Sequence, residues 1–202
     1  MPEPDVAAAV ADLDALTRRL RRECPWDREQ DERSIVPHTV EEAYELADAA
    51  HSGDDAKLLD ELGDFLFQAY FLALLMEERG AGTLAEVADH VREKLIRRHP
   101  HVFGDVEADS ADEVLRNWNR IKQDVERGGE LFGDIPETLP STLYAKKVLK
   151  RAESAGFRLD PGGGDPGERL LAAVRDAVDA GVDPELALRQ AADRFRDEVD
   201  SA

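Results

Sequence analysis

The sequence is poor in cysteine, in positive charge and in long apolar runs, and each shortage excludes a class of protein. A single cysteine, Cys24, excludes an intrachain disulfide framework and favours the reducing environment of the cytoplasm. Only 26 lysines and arginines stand against 45 acids, and the net charge of -19 argues against nucleic acid or an anionic membrane as the main partner. The most apolar run, residues 65–76, is shorter than the roughly 20 helical residues that span a bilayer.

Convincing β alternation is also missing, whereas apolar residues recur at every third and fourth position through most of the chain. We therefore predict an all-α protein folded as an antiparallel helical bundle, for which an apolar content of 42% supplies a core. Start signals support several helices, such as the capping box formed by Thr83 and Glu86 and the N-cap pair Asp183-Pro184. The predicted helices cover residues 6–23, 39–51, 55–79, 84–98, 111–127, 140–154, 166–180 and 184–199.

Two stretches rich in glycine and proline, residues 128–140 and 156–167, are typical of linkers. The first of them separates the motifs described below from the remainder of the chain. We therefore predict a main domain over residues 1–130 and a helical tail over residues 131–202.

Five carboxylates at helical spacing distinguish residues 41–64. Glu42 and Glu45 are three residues apart in one predicted helix, and Glu61 and Asp64 have the same spacing in the next. Each helix therefore presents two acids from one face, and antiparallel packing of the two helices would bring four carboxylates together. Glu41 is the fifth acid of the group.

A simpler interpretation accounts for part of this cluster. Thr39 and Glu42 match a capping box at the start of the predicted helix 39–51, where the helix dipole also favours Glu41. Glu45 fits a solvated position on the same helix. This interpretation leaves the acids of the following helix unexplained.

The helix that carries Glu61 and Asp64 is apolar nearly all round after residue 64. On a wheel of 100° per residue, a stripe within about 60° of Leu62 is predicted to face the core. The other members of this stripe are Leu58, Leu59, Phe65, Leu66, Ala69, Ala73 and Met76. Glu61 and Asp64 fall on its flank, in a sector whose other members are Gln68, Phe71 and Leu75. A solvated surface is not expected to contain these apolar residues, so the two acids indicate a site.

Neutralisation of these acids is predicted to require a bound cation. An isolated charge in a low-dielectric interior costs on the order of several kcal/mol, and Lys57 is the only lysine or arginine between Glu41 and Glu78. Oxygen ligands without histidine or cysteine favour a hard ion, Mg²⁺ or alternatively Mn²⁺. Such an ion often keeps waters that substrate phosphate replaces.

The sequence resembles the MazG family of nucleoside triphosphate pyrophosphohydrolases. That family is marked by EExxE, a variable spacer and ExxD, which here are EEAYE (41–45) and ELGD (61–64) with 15 residues between them. Three further segments resemble the amino-terminal half of longer MazG proteins in the same order: CPWDREQ (24–30), KLIRRHPHVFGD (94–105) and NWNRIKQ (117–123). The resemblance implies an all-α homodimer or homotetramer that binds Mg²⁺ and converts a nucleoside triphosphate and water into a monophosphate and pyrophosphate.

The resemblance also assigns roles to the five acids. It makes Glu41 either the base that orients water or an acid that contacts the metal ligands rather than the metal. All five acids are therefore candidate catalytic residues. Water would attack at the α-phosphorus and pyrophosphate would leave. The implied Mg²⁺ ligands are Glu42, Glu45, Glu61 and Asp64.

Five further residues are candidates for substrate binding, and the resemblance matches the first three to the basic cluster of the family. Lys94, Arg97 and Arg98 are spaced to share one helical face, where they can hold a triphosphate. The alternative is an ordinary basic helix end that complements the dipole. Trp118 matches a nucleotide-contacting position and Trp26 is a candidate neighbour of the base, although either indole also fits a core position.

The tail departs from the longer family members. Residues 141–202 contain neither EExxE nor ExxD, so a degenerate second MazG-like repeat, a packing element and an oligomer interface are the open interpretations. For the whole chain two alternatives to a general pyrophosphohydrolase also stay open. One is a narrow specificity for dUTP, dCTP or phosphoribosyl-ATP, and the other is a non-catalytic helical module for regulation or interaction.

Overall fold

A computed structural model of the protein describes residues 5–122, 130–133, 135–158 and 164–202. These residues form ten α-helices and no strand, which confirms the predicted all-α class. No helix among them is long and apolar enough to cross a membrane. The helices are α1 (Val6–Glu23), α2 (Pro25–Glu29), α3 (Glu32–Ser52), α4 (Asp55–Glu78), α5 (Leu84–Arg98), α6 (Pro100–Phe103), α7 (Ala111–Ile121), α8 (Ser141–Ser154), α9 (Pro166–Asp179) and α10 (Pro184–Asp200).

The helix starts follow local capping chemistry. The backbone N–H of Thr83 donates to the carboxylate of Glu86, and the N–H of Glu86 donates to the Thr83 hydroxyl, so this capping box is confirmed. Asp183 accepts a hydrogen bond from the backbone N–H of Glu185 before Pro184 opens α10, as predicted. Helix positions are therefore set largely by short-range sequence.

Helix α3 begins seven residues before the predicted position. Its N-cap is Asp31, which forms a capping box with Ser34, and Pro37 lies inside the helix. The capping box predicted for Thr39 and Glu42 is therefore wrong, because both residues lie in the helix interior. Pro37 is tolerated since it lies close to the helix start, where its ring and missing N–H disturb only the first turns.

Two short helices were not predicted, and one predicted helix extends beyond the described residues. Helices α2 and α6 span 5 and 4 residues, too short to show a helical period, and each opens with proline. Helix α7 was predicted to reach residue 127 and is observed to Ile121. Residues 123–129 lie outside the described part of the chain, as do 134 and 159–163 in the predicted linkers.

The chain divides into two compact units, Met1–Arg97 and Arg98–Ala202. In the first unit, α3 and α4 pack together most extensively and run antiparallel, because only two residues join them and Gly53 turns the chain with a φ of 71°. Helix α1 packs against α2 and α4. The predicted boundary near residue 130 stays a prediction.

Two arginines of α1 form ion pairs with glutamates at the end of α4. Arg18 donates to both carboxylate oxygens of Glu77, at 2.9 and 2.6 Å, and Arg21 donates to both oxygens of Glu78, at 2.9 and 2.8 Å. Arg21 also donates to the backbone carbonyls of Asp27 and Gln30. Such paired, forked contacts fix direction as well as distance, so α1 holds the carboxyl end of α4 in place.

The core of the first unit lies between α3 and α4. Ile35 contacts Phe71 and Leu75, and Phe67 and Leu72 pack against this group while partly buried. Phe71 is fully buried. The buried face of α4 therefore includes residues that the helical wheel assigned to the flank.

The stripe around Leu62 is not the core face, which corrects the prediction. Leu59 is 75% exposed and Leu62 is 51% exposed, and Phe65, Leu66 and Ala69 are also exposed. Of the remaining members Ala73 is buried, whereas Leu58 and Met76 are half-buried. Because α4 is apolar nearly all round, periodicity could not indicate which side meets α3.

In the second unit, α8 packs against both α9 and α10, and α9 packs against α10. Two polar contacts join α8 to the start of α10: the Lys146 ammonium donates to Asp183, and the Thr142 hydroxyl donates to Glu185. The tail is thus a small helical assembly with its own contacts, in agreement with its predicted helical character.

We expect Phe71→Ala to lower the free energy of unfolding by about 3–5 kcal/mol, because the truncation leaves a cavity in the α3–α4 core. The matched control is Phe195→Ala, since Phe195 is 68% exposed and its loss should change stability by no more than about 0.5 kcal/mol. Urea unfolding followed by circular dichroism measures both. Equal effects of the two substitutions would contradict this core.

Candidate metal centre on helices α3 and α4

The side of α3 that packs on α4 contains an acid. Its less exposed positions recur every three or four residues, as expected for one face of a helix. They are Glu32, Ile35, Thr39, Glu42, Leu46 and Ala49. Glu42 therefore lies within the contact between the two helices, one turn from Thr39 on one side and from Leu46 on the other.

Three of the predicted ligands converge. Glu42, Glu45 and Glu61 each offer one carboxylate oxygen, and these three oxygens all lie within 4.8 Å of one another. Glu42 and Glu61 are half-buried, whereas Glu45 is exposed. The antiparallel α3–α4 pair thus gathers acids from both helices into a group that solvent can reach from one side.

Glu42 occupies the most unfavourable electrostatic position of the group. One of its carboxylate oxygens, Oε2, is inaccessible to solvent and has no hydrogen-bond partner among the described residues. Burial raises the pKa of the Glu42 carboxyl, and neighbouring negative charges raise this pKa further. In decreasing order of effect, those charges belong to Asp64, Glu45, Glu61 and Glu41.

Glu61 is perturbed in the same direction. Burial raises the pKa of its carboxyl first, and the charge of Glu45 raises it next. Lys57 opposes this effect and lowers the pKa, whereas Asp60 and Asp64 raise it. One lysine does not balance the repulsion, so the group favours an added positive charge.

The chemistry of these side chains fits a hard divalent cation. All three converging atoms are carboxylate oxygens, the ligand type that Mg²⁺ and Mn²⁺ prefer over the nitrogen and sulfur ligands of softer metals. The unpaired oxygen of Glu42 supplies a ready acceptor for such an ion. A bound cation would remove the repulsion that raises the pKa of Glu42 and Glu61.

The other two predicted acids lie at the margin of the group. Asp64 is exposed and is not among the three converging acids, although its charge acts on Glu42. Glu41 is exposed, and its Oε2 lies 3.8 Å from Nδ1 of His38. Their roles as ligand and as base stay predictions.

Trp26 contacts His38, a neighbour of the acidic group that was not predicted from the sequence. The Trp26 ring, which is 52% exposed, meets the ring of His38 edge to face with centroids 5.8 Å apart. His38 in turn lies beside Glu41. The signal available in the sequence was the spacing of three residues between His38 and Glu41, which places both on one side of α3.

The predicted phosphate-binding residues lie on α5, and their contact with a triphosphate stays a prediction. Lys94, Arg97 and Arg98 share a face at the end of α5, as their spacing predicted, but α5 takes no part in the extensive helix contacts of the described chain. Arg98 begins the second unit, where its guanidinium lies 4.9 Å from the centroid of the Trp118 ring. The Lys122 ammonium lies 5.0 Å from the same ring. Trp118 is thus a half-buried ring flanked by two cations.

Comparison with known proteins places the acidic group within a matched domain. The model of the MazG nucleotide pyrophosphohydrolase domain matches residues 30–103. An uncharacterised 26.1 kDa protein of Streptomyces cacaoi is 38% identical over 201 residues, covering 96% of this chain and 83% of the relative. The nucleoside triphosphate pyrophosphohydrolase/pyrophosphatase MazG of Thermotoga maritima is 36% identical over 198 residues, which cover 85% of this chain and 76% of that relative.

A third relative matches over a shorter stretch of the chain. The nucleoside triphosphate pyrophosphohydrolase of Escherichia coli K12 is 42% identical over 138 residues, which cover 66% of this chain and 52% of the relative. The matched part therefore spans about half of that protein. All five acids lie within the residues that the domain model matches.

We expect Mg²⁺ or Mn²⁺ to raise the melting temperature of the protein, and this rise to shrink as the pH falls. In the folded protein the pKa of Glu42 and of Glu61 is raised above its ordinary value. Without cation, these two carboxyls therefore stabilise the folded state most at a pH below their pKa in the unfolded chain. That stabilisation is lost as the pH rises through their pKa in the folded protein. Cation binding needs ionised carboxylates and therefore shows the opposite trend, increasing over the same range of pH.

Thermal unfolding with and without cation, repeated from neutral pH downward, measures both trends. Glu42→Gln should be more stable than the unsubstituted protein at neutral pH without cation, and should gain less from it. Glu198→Gln, an exposed substitution on α10, is the control and should respond like the unsubstituted protein. A cation effect independent of pH, or equal in Glu42→Gln, would contradict the proposed ligands.

Proposed function

Because the chain belongs to the MazG family of nucleotide pyrophosphohydrolases, we propose that it hydrolyses nucleoside triphosphates to monophosphates and pyrophosphate at the acids of α3 and α4. The observations that carry this proposal are the convergence of one oxygen each from Glu42, Glu45 and Glu61 within 4.8 Å, and the burial of one unpaired carboxylate oxygen of Glu42. Phosphoryl chemistry needs a positive charge beside the phosphates, and this group is suited to hold one.

The cofactor that we propose is Mg²⁺, with Mn²⁺ as a substitute. Glu42, Glu45 and Glu61 would hold the ion, and Asp64 would be the fourth ligand. When bound, the ion neutralises phosphate oxygens and lowers the pKa of water. It also reverses the local field of a chain whose net charge of -19 would otherwise repel a triphosphate.

The proposed reaction balances without a covalent intermediate. The oxygen of a water molecule bonds to the α-phosphorus, and the bond from that phosphorus to the oxygen bridging the α and β phosphates breaks. Pyrophosphate leaves with the bridging oxygen. Glu41 is exposed beside the ligands and would take the proton that the water loses.

Other residues of the first unit would bind the substrate. The exposed Trp26 ring, supported at its edge by His38, offers an aromatic face to a nucleobase at the margin of the acids. Lys94 and Arg97 would contact the triphosphate. The predicted contacts of Arg98 and Trp118 with nucleotide, the cytoplasmic location and the lack of a nucleic-acid partner stay predictions.

We expect purified protein with Mg²⁺ to release pyrophosphate and a monophosphate from nucleoside triphosphates, and Glu61→Gln to lower kcat by roughly 100-fold or more, because it removes a direct cation ligand. A panel of ribonucleotides and deoxyribonucleotides, with products separated by ion-exchange chromatography, measures rate and specificity together. Glu198→Gln should keep the full rate.

Three outcomes would change this conclusion. Turnover confined to dUTP, dCTP or phosphoribosyl-ATP would narrow the substrate class. Release of inorganic phosphate would indicate attack at a different phosphorus. If the unsubstituted protein shows no turnover, or only turnover that Glu61→Gln leaves intact, the result would favour a non-catalytic helical module.

We also propose that a second copy of the chain covers the exposed stripe of α4. Leu59, Leu62, Phe65, Leu66 and Ala69 form a continuous apolar surface along three turns of one helix. A contiguous apolar surface of this kind on a chain with so much charge is typical of an association site. A homodimer is the simplest closed assembly that buries the same surface on both partners, and a homotetramer would repeat it.

We expect light scattering after size-exclusion chromatography to give at least twice the chain mass of 22.4 kDa. Leu62→Lys should shift the protein toward the monomer, because it places a charge in the centre of the stripe. Leu188→Lys replaces a similarly exposed leucine on α10 and should leave the mass unchanged. A monomeric unsubstituted protein would contradict the association.

A further inference from the structure

Gln68 is a buried amide of α4. The residue is only 8% exposed, and its amide oxygen has no hydrogen-bond partner among the described residues. Buried side-chain amides are normally paired, because an unpaired carbonyl loses its hydration without replacement. Gln68 therefore needs an explanation that packing does not supply.

The register of α4 places Gln68 directly below the acids. At 100° per residue it lies about 20° from Glu61 and about 40° from Asp64 around the helix, one turn beyond Asp64 toward the core. It also lies about 20° from Leu75, which contacts Ile35 of α3. The face that carries Gln68 is therefore the face turned to α3, between the apolar cluster and the acidic group.

The facing side of α3 offers no evident protein partner for the amide oxygen. The antiparallel register sets Gln68 opposite the turn of Thr39, whose hydroxyl donates to the carbonyl of Ile35 at 3.3 Å. One turn further, Glu42 carries its own buried unpaired oxygen. Two unpaired acceptors, one from each helix, thus lie in adjoining turns of the same contact, and an acceptor cannot satisfy another acceptor.

We propose that Gln68 is a positioning residue for the divalent cation, whose hydration water donates a hydrogen bond to the Gln68 amide oxygen. The inference rests on the proposed function, because the cation is the one held by Glu42, Glu45 and Glu61. A hydrated ion supplies the donors that both unpaired oxygens lack. The amide adds an acceptor without adding a further negative charge to a group that already repels itself, and it acts on the ion through water, as residues behind metal ligands commonly do.

The test separates cation binding from packing. In Gln68→Met an apolar chain of similar length replaces the amide, so the cation-free protein should melt no lower than the unsubstituted protein. Its Kd for Mn²⁺, measured by the electron paramagnetic resonance signal of the free ion, should rise about 10-fold or more. The Mg²⁺ concentration for half-maximal hydrolysis should rise likewise, with KM for nucleotide at saturating Mg²⁺ nearly unchanged.

Two further variants complete the design. Gln68→Glu keeps an acceptor oxygen and adds charge, so it should melt lower without cation and bind Mn²⁺ at least as tightly as the unsubstituted protein. Thr17→Val replaces another buried polar group, whose hydroxyl donates to the Leu13 carbonyl at 2.8 Å on α1. That control should lose stability and keep the Kd for Mn²⁺.

The outcomes distinguish the two levels of the proposal. An unsubstituted protein that binds no Mn²⁺ overturns the metal site and this inference with it. Tight Mn²⁺ binding by Gln68→Met overturns the role of Gln68 and leaves the metal site standing. A Gln68→Met protein that melts lower without cation, or that fails to fold, would show that packing needs the amide and would overturn the role. Weakened Mn²⁺ binding by Gln68→Glu would overturn it as well.

Discussion

Repulsion between carboxylates inside the α3–α4 contact is the constraint on which the rest of the structure depends. Glu42 lies half-buried on the side of α3 that packs on α4, and a carboxylate oxygen of Glu61 approaches it from the other helix. Left alone, the two helices would separate at this point. The Ile35–Phe71–Leu75 cluster at one end and the two-residue turn at the other hold them together, while Arg18 and Arg21 brace α4 from α1. The fold thus keeps charges close that would move apart in a freer chain, and the divalent ion that we propose would offset that repulsion.

Much of this arrangement could be predicted from the sequence because it depends on local rules. Proline and acid caps placed α10 correctly, and the Thr83 capping box placed α5. The convergence of Glu42, Glu45 and Glu61 followed from helical spacing and a short connection, both of which are visible in the chain. The spacing of Lys94, Arg97 and Arg98 gave a shared face on α5, but spacing alone carries no information on what that face contacts.

The errors arose where local patterns admit more than one tertiary solution. Thr39 matches an N-cap in the sequence, yet Asp31 and Ser34 cap a helix that begins earlier and runs through Pro37 and Thr39. On α4 the stripe around Leu62 and the sector containing Phe71 are both apolar, so only contact with α3 decides that the second is buried. Gln68 and His38 were overlooked for the same reason. Their significance lies in what surrounds them: the spacing of His38 and Glu41 places both on one side of α3, but a single glutamine in a helical pattern carries no comparable signal.

The turn at Gly53 has a consequence for how the protein acquires its activity. Only 15 residues separate EEAYE from ELGD, so the chain between the two halves of the proposed cation site forms a short loop with a low entropic penalty for closure. Contacts of such low sequence separation form early and fast in folding. The α3–α4 hairpin can therefore assemble before the more distant helices arrive, and the proposed ion, bound at that stage, would guide folding as well as catalysis.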